Sequence, residues 1–386
     1  MSAPSKPLTI VCATSVAGGK EAFETIGRVL SIPESDIDAS TLRGADVLVT
    51  RSKVQVNETL LEGSSLSFYG TATAGFDHVD VAALERRNIA WSQAPGSNAN
   101  SVAEYILAVL SWLGKKQDID WTGRTLGIVG AGQVGSRLAV VAEAFGLHVL
   151  LNDPPLKDKT GDSRYRSINE LLEQSDILSL HVPLIDAGPH PTRGMVNAAL
   201  IAAMKRGSVF INAGRGEVVV ESALVPAIIK DVFSSVVLDV FEHEPDINID
   251  TLNLATLASP HIAGYSLDGR LKGTAMIYQA VCRHFGLDTK WQIPDVTNPV
   301  KLNVDATLKR HHALYDVILK AYNPAGDDQR LRSLPVGMPM RKHFSSLRQN
   351  YPERREFHHF SIAGDKLSKE LESALLKIGF KIHSGA

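Results

Sequence analysis

The chain has 386 residues, of which 44% are hydrophobic, so it can form two or three folded domains and is not disordered throughout. Forty basic residues stand against 42 acidic ones, and a net charge of −2 gives no overall attraction to nucleic acid. Its two cysteines provide neither a disulfide framework nor a four-cysteine zinc site, and no apolar run has the length of a membrane span. These properties predict a soluble, cytoplasmic protein without a metal, a membrane or a nucleic acid as partner.

In the first hundred residues, short β-branched runs alternate with a segment of helical periodicity. Leu8–Cys12, Val47–Thr50 and Leu66–Gly70 are predicted strands, and Lys20–Leu30 is a predicted helix. This alternation is typical of a small open α/β domain with a parallel sheet. The long apolar segment Ser101–Leu113 follows, and because its apolar positions run almost all round the helix, it predicts a buried one.

A second series of strands and helices follows. The predicted strands are Thr125–Val129, His148–Leu151, Ile177–Leu180, Ser208–Ile211, Ser235–Leu238 and Thr256–Ala258. The helical segments between them include Gln133–Phe145, Asn197–Lys205 and Glu221–Lys230. Six strands with intervening helices are the content of a doubly wound, parallel-sheet dinucleotide-binding domain. Beyond about Leu287 prolines become frequent, but hydrophobic patterning persists and predicts a further folded unit.

A glycine motif, Gly130-Ala-Gly-Gln-Val-Gly135, follows the first strand of this series and opens a helix. Gly130 allows the tight turn, Gly132 lets the backbone approach a pyrophosphate, and Gly135 lets the helix pack on the strand. Asp153 ends the next strand, where a carboxylate can bind the ribose hydroxyls and would repel the additional phosphate of NADP. The predicted cofactor is therefore NAD.

Three polar residues follow three successive strands of the same predicted sheet. They are Arg215, Glu244 and His261. Because ligands of open α/β sheets bind at the carboxyl ends of the strands, we expect all three side chains to face the cofactor cleft. A histidine can exchange the hydroxyl proton during hydride transfer, and a guanidinium can bind a carboxylate through two hydrogen bonds. Glu242 and His243 are an alternative working pair beside Glu244.

The order of the glycine motif, the Arg-Gly turn, the Glu-Pro turn and the Pro-His turn resembles the D-isomer-specific 2-hydroxyacid dehydrogenases over about residues 8–285. The resemblance implies that Arg215 binds the substrate carboxylate, that His261 is the acid/base and that Glu244 orients its imidazole. It places Asp239 near the nicotinamide. The full predicted set of cofactor contacts is Gly130, Gly132, Gln133, Val134, Gly135, Asp153, Val182, Ala213, Gly214, Arg215, Asp239 and Gly264.

A narrower resemblance, to members of this family that oxidise a phosphorylated hydroxy acid, extends over nearly the whole chain. It rests on Arg51-Ser-Lys53, the run Gly70–Asp80, Ala94-Pro-Gly96, the run His261–Tyr265 and the tail motif Asn350–Glu356. The implied substrate-binding residues are Arg51, Ser52, Thr73 and Tyr265. The tail is similar to a C-terminal dimerisation domain, which predicts a homodimer. One of Arg348, Arg354 and Arg355 is expected either to reach a partner's phosphate pocket or to form ion pairs within the tail.

Together these observations predict an α/β protein of three domains. Residues 1–98 and 266–288 would form a smaller, flavodoxin-like substrate domain, residues 99–265 the NAD-binding Rossmann domain, and residues 289–386 an α+β dimerisation domain. Two alternatives remain at this stage. The chain could oxidise another D-2-hydroxy acid, such as 3-phosphoglycerate or hydroxypyruvate/glyoxylate, or it could be a NAD-sensing scaffold like the corepressors related to these dehydrogenases.

Overall fold

The structure is a computed structural model that describes residues 6–295, 299–305, 307–364 and 367–383. The chain divides into two compact units. The first comprises Met1–Asn98 and Ser266–Thr297, and the second comprises Ala99–Tyr265 and Asn298–Ala386. Among the described helices, none combines the length and the apolar character that crossing a membrane requires.

The first unit is built on a five-stranded parallel sheet. Its strands are β1 (Leu8–Ala13), β2 (Gly27–Ile32), β3 (Val47–Thr50), β4 (Phe68–Thr71) and β5 (Ala90–Gln93), and its first helices are α1 (Gly19–Phe23), α2 (Glu58–Leu61) and α3 (Val81–Arg86). The strand order is β2-β1-β3-β4-β5, which is the flavodoxin-like order. The predicted small α/β domain with a parallel sheet is therefore confirmed.

The helix predicted over Lys20–Leu30 is wrong in its second half. Helix α1 ends at Phe23, and Gly27–Ile32 is strand β2, which pairs in parallel with β1. A Cβ added at Gly27 would lie 2.5 Å from the main-chain oxygen of Leu8, so this strand pair needs a glycine there. Tertiary pairing with β1 thus overrides the local helical pattern.

The second unit contains a six-stranded parallel sheet. Its strands are β6 (Thr125–Val129), β7 (His148–Asn152), β8 (Ile177–Leu180), β9 (Ser208–Asn212), β10 (Phe233–Leu238) and β11 (Leu257–Ala258). Its helices are α4 (Ala99–Gln117), α5 (Gln133–Phe145), α6 (Pro154–Thr160), α7 (Ile168–Gln174), α8 (Ala198–Ala203), α9 (Glu221–Ile229) and α10 (Ile249–Leu254). The order β11-β10-β9-β8-β6-β7 confirms the doubly wound sheet and places its switch point between β6 and β8.

The chain then returns to the first unit with α11 (Leu267–Phe285), which packs against β4, β5 and α1. This packing is close, since a Cβ at Gly70 would lie 2.3 Å from Cγ2 of Ile277. The first unit is thus completed by a segment that follows the second unit's sheet in sequence.

The C-terminal residues add three strands and four helices to the second unit. They are β12 (Val300–Leu302), α12 (Arg310–Ala321), α13 (Ala325–Arg332), α14 (Met340–Gln349), β13 (Phe360–Ala363), α15 (Lys369–Ile378) and β14 (Lys381–His383). The strands pair in parallel in the order β12-β13-β14. Helix α12 packs on α4 and α15 packs on α5, so Leu314 and Leu375 share one hydrophobic core with Leu107 and Val141. The tail therefore completes the core of the second unit.

Candidate active site

The glycine motif lies between β6 and α5, at the switch point of the second sheet. Gly130 has a φ of 92°, and a Cβ there would lie 2.7 Å from the main-chain oxygen of His181. A Cβ at Gly135 would lie 2.0 Å from the oxygen of Gly130, which fixes the close packing of helix on strand. A Cβ at Gly132 would meet no atom within 4 Å, so the backbone there faces open space. These features fit a pyrophosphate at the amino end of α5.

Several of the other predicted cofactor contacts meet at the same place. An added Cβ at Gly130 would lie 2.9 Å from the side chain of Val182, and one at Gly214 would lie 3.1 Å from the oxygen of Val182. The loops after β6, β8 and β9 are therefore in contact beside the switch point. Gln133 is exposed, whereas Val134, Ala213 and Gly264 are half-buried.

Asp153 stands at the end of β7 and has two internal partners. Its Oδ2 accepts a hydrogen bond of 2.9 Å from the amide of Ala131, in the glycine motif. Its Oδ1 accepts one of 3.0 Å from the amide of Leu156 and so caps α6. The carboxylate is thus fixed beside the glycine loop, and it remains half-exposed, as binding ribose hydroxyls requires.

His261 and Glu244 form the hydrogen-bonded pair that the family resemblance implies. Nδ1 of His261 lies 2.7 Å from Oε2 of Glu244, and Oε1 of Glu244 accepts a hydrogen bond of 3.0 Å from the amide of Phe241. The histidine side chain is 32% exposed and the glutamate only 17%, so the carboxylate lies behind a ring that remains accessible. Glu242 instead accepts a hydrogen bond from the amide of Glu221, so it is Glu244 that supports the histidine.

The charge state of Glu244 follows from its surroundings. Burial acts to raise the pKa of this carboxyl, but the imidazole of His261 and the guanidinium of Arg348 outweigh it, and the pKa is lowered. Glu244 is therefore ionised at neutral pH. An ionised carboxylate on Nδ1 stabilises the imidazolium and leaves Nε2 to exchange a proton with a substrate.

Arg215 follows β9, in the turn Asn212–Gly216. Its Nη1 donates a hydrogen bond of 3.0 Å to the oxygen of Gly214, and its own oxygen accepts one of 3.0 Å from the Asn212 amide group. A Cβ at Gly216 would lie only 1.7 Å from the oxygen of Phe241. The Arg215 turn is thus packed directly against the loop that carries Glu244.

Asp239 is buried and accepts hydrogen bonds from the loop that carries His261. It accepts hydrogen bonds from the amides of Ile262 and Ala263, at 2.8 and 3.0 Å, and from the hydroxyl of Ser259 at 2.6 Å. Burial raises the pKa of Asp239, while His261 and these donors act in the opposite direction. The sequence marks Asp239 only as a cofactor contact, because a loop anchor of this kind has no sequence pattern of its own.

The predicted substrate residues lie in both units. Arg51 and Ser52 directly follow β3, and Thr73 follows the neighbouring strand β4. The hydroxyl of Thr73 donates a hydrogen bond of 2.8 Å to the main-chain oxygen of Gly75. All three lie at the carboxyl edge of the first sheet. Tyr265 belongs to the second unit, where its ring lies 5.6 Å from the guanidinium of Arg348.

The three tail arginines have different surroundings. Arg354 is buried and donates hydrogen bonds to main-chain oxygens of its own chain. Arg355 is paired with Glu353 at 3.2 Å. Arg348 lies over the ring of Tyr265 and acts electrostatically on Glu244. The sequence did not connect Arg354 with the histidine loop, since ninety residues separate them.

Comparison with known proteins identifies the family of this chain. A family model described as the NAD-binding domain of D-isomer-specific 2-hydroxyacid dehydrogenases matches residues 106–263, and a model of a domain of unknown function (DUF3410) matches residues 295–379. The chain is 39% identical over 368 residues to erythronate-4-phosphate dehydrogenase of Marinobacter nauticus, with 93% of this chain and 96% of that protein covered. It is 40% identical over 371 residues to the protein of the same name from Shigella flexneri, with coverage of 94% and 95%.

Among solved structures, D-lactate dehydrogenase from Aquifex aeolicus, complexed with NAD and lactic acid, superposes with a TM-score of 0.57 at 27% identity. The match covers 72% of this chain and 96% of that one. The chain belongs to the D-isomer-specific 2-hydroxyacid dehydrogenase family, and it is an NAD-dependent oxidoreductase. Within that family, its relatives over nearly the whole chain are named erythronate-4-phosphate dehydrogenase.

Proposed function

We propose that this protein oxidises 4-phospho-D-erythronate to (R)-3-hydroxy-2-oxo-4-phosphooxybutanoate with NAD, as a step of pyridoxal phosphate (vitamin B6) biosynthesis. The observation that carries the proposal is the length of the match to the relatives of that name. It spans 93% of this chain, against 72% for the lactate dehydrogenase match, and therefore includes most of the C-terminal residues. Another D-2-hydroxy acid as the substrate, or a NAD-sensing scaffold without enzymatic activity, is not favoured by these relatives.

The proton-transfer step is assigned to His261. Glu244 holds Nδ1, so Nε2 takes the proton of the substrate hydroxyl as its O–H bond breaks and the C=O bond forms. NAD, which the glycine motif and Asp153 would hold, would supply the acceptor for the hydride that leaves the same carbon. Glu244 stabilises the resulting imidazolium, and the proton then passes from Nε2 to solvent.

Substrate binding is assigned to cations at the two ends of the substrate. The guanidinium of Arg215 binds the carboxylate next to the reacting carbon, since its planar donors match a carboxylate through two hydrogen bonds. The phosphate is assigned to Arg51 together with the hydroxyls of Ser52 and Thr73, which follow adjacent strands. Tyr265 is assigned a hydrogen bond to the substrate.

We further propose that the chain is a cytoplasmic homodimer with three functional parts, in which residues 289–386 form the dimerisation domain. Both cysteines are buried free thiols, which suits a reducing compartment. Deleting the tail would uncover the core around α4 and α5, so the full chain is the right material for this test. Sedimentation of the full chain should give twice the mass of 41.7 kDa, and a monomer at micromolar concentration would contradict the assignment.

The function is tested by a substrate panel with NAD. We expect 4-phosphoerythronate to be oxidised with a kcat/KM above that of 3-phosphoglycerate and at least about a hundredfold above that of erythronate. The second difference is large because loss of a phosphate that binds a cation costs about 3 kcal/mol. Arg51→Met should remove most of this preference while leaving erythronate turnover unchanged. Equal turnover of the phosphorylated and unphosphorylated acids would contradict the proposal.

A further inference from the structure

The loop that carries the catalytic histidine has an unfavourable backbone conformation. His261 has a φ of 55°, in the left-handed region that side chains other than glycine seldom adopt. A residue in that region persists only when its neighbours hold it there. The geometry of the imidazole therefore depends on the contacts of the loop Ser259–Tyr265.

One side of the loop is held by Asp239. Its main-chain oxygen accepts a hydrogen bond of 2.7 Å from the amide of His261. Its carboxylate accepts those of Ile262 and Ala263, as described above. The two amides directly after the left-handed residue thus point toward one buried acid.

The other side is held by Arg354, from the C-terminal part of the chain. Its Nη2 donates to the oxygen of Ala263 at 2.6 Å and to that of Ser101, in α4, at 2.9 Å. Its Nη1 donates to the oxygen of Ile262 at 3.4 Å. The peptide group between Ile262 and Ala263 is therefore fixed at both ends, its N–H by Asp239 and its C=O by Arg354.

Arg354 is itself rigidly placed. It is only 6% exposed, and its guanidinium lies 4.5 Å from the centroid of the Tyr322 ring. The hydroxyls of Tyr322 and Tyr351 both donate to Oδ2 of Asp327, at 2.6 and 3.0 Å. Burying a guanidinium is costly unless its N–H donors have acceptors. Here these donors bind main-chain oxygens beside the catalytic histidine.

We propose that Arg354 is a positioning residue for the reaction, through which the C-terminal part of the chain holds His261 in its productive geometry. The proposal rests on the proposed function only in taking His261 as the acid/base. It assigns the tail a role within the active unit in addition to dimerisation. A guanidinium is required because its fork reaches two neighbouring oxygens at once, which an ammonium group cannot do.

The test compares Arg354→Lys and Arg354→Met with Leu375→Val. Leu375 lies on α15 and is buried in the core of the same unit, so its variant destabilises that unit without touching the histidine loop. We expect kcat to fall about tenfold in Arg354→Lys and about a hundredfold in Arg354→Met, with the KM for NAD within about twofold of the parent. Added guanidinium should restore part of the activity of Arg354→Met, whereas Leu375→Val should keep the parental kcat.

A readout independent of the substrate is amide hydrogen exchange of the peptide that contains Ile262 and Ala263. It should speed up about tenfold or more in Arg354→Lys and remain unchanged in Leu375→Val. If the parent fails to oxidise 4-phosphoerythronate but this exchange difference appears, the substrate assignment falls and the positioning role stands. Parental kcat and exchange in Arg354→Lys would overturn the positioning role, even if Arg354→Met fails to fold. Equal kcat losses in Arg354→Met and Leu375→Val would also overturn it.

Discussion

Replacing Glu244 with glutamine tests how the carboxylate acts on the histidine. The carboxylate has two acceptor oxygens, of which one binds Nδ1 of His261 at 2.7 Å and the other the amide of Phe241 at 3.0 Å. A glutamine has one acceptor oxygen, so one of these two donors must face an NH₂ group. The variant keeps the shape of the side chain but loses the negative charge and one hydrogen bond.

The expected size of the effect follows from the geometry. A short hydrogen bond between charged groups in a largely buried site contributes about 1.5–3 kcal/mol. Since 1.36 kcal/mol corresponds to a factor of ten in rate, kcat for alcohol oxidation should fall about 10–100-fold. The fall is expected because the imidazolium that forms in the transition state loses its stabilising carboxylate.

The assay is the initial rate of NADH formation from 4-phosphoerythronate between about pH 5 and 9, fitted for kcat and for kcat/KM. Glu242→Gln, in the same loop but bonded to Glu221, is the matched control and should keep the parental kcat. A kcat in Glu244→Gln within about threefold of the parent would refute the role assigned to this carboxylate.

Three other substitutions test separate parts of the structure. Arg215→Lys should raise the KM for the hydroxy acid about 10–100-fold with little change for NAD, because an ammonium cannot bind a carboxylate through two planar hydrogen bonds; equal changes in both constants would contradict this role. Asp153→Ala should weaken NAD binding, reduce the preference for NAD over NADP and, because Asp153 caps α6, lower stability by about 1 kcal/mol; an unchanged cofactor ratio would count against its ribose contact. Burial, and next Glu356, raise the pKa of Glu104 well above its usual 4.5, so the folded chain retains a proton that the unfolded chain releases. The contribution of this group to the free energy of unfolding is therefore present at low pH and lost as the pH rises toward the folded pKa. In urea unfolding, the free energy of unfolding of Glu104→Gln should rise relative to that of the parent between about pH 5 and 8. A difference between the two proteins that does not change with pH would refute the reasoning.

Local pattern predicted most of the second sheet. Its six strands were placed to within a residue or two because parallel strands covered on both faces are continuous apolar runs, as in Ile177–Leu180. Strand β2 was not predicted, because its partly buried and exposed residues do not alternate clearly. Its pairing with β1 depends on tertiary packing. Strand β5, at the edge of the first sheet, carries half-buried residues along its whole length and gives a similarly weak signal.

By itself, the sequence determined the doubly wound fold and the glycine motif with its acidic partner, because each depends on residues at strand ends whose spacing is local. The pairing of His261 with Glu244 followed from the family resemblance. The tertiary structure decided what holds that pair in place. The tail shares the core of the NAD-binding unit, and Arg354 reaches the histidine loop across ninety residues of chain. Contacts of this kind join side chains to main-chain oxygens, which every residue possesses, and so they leave no pattern in the sequence.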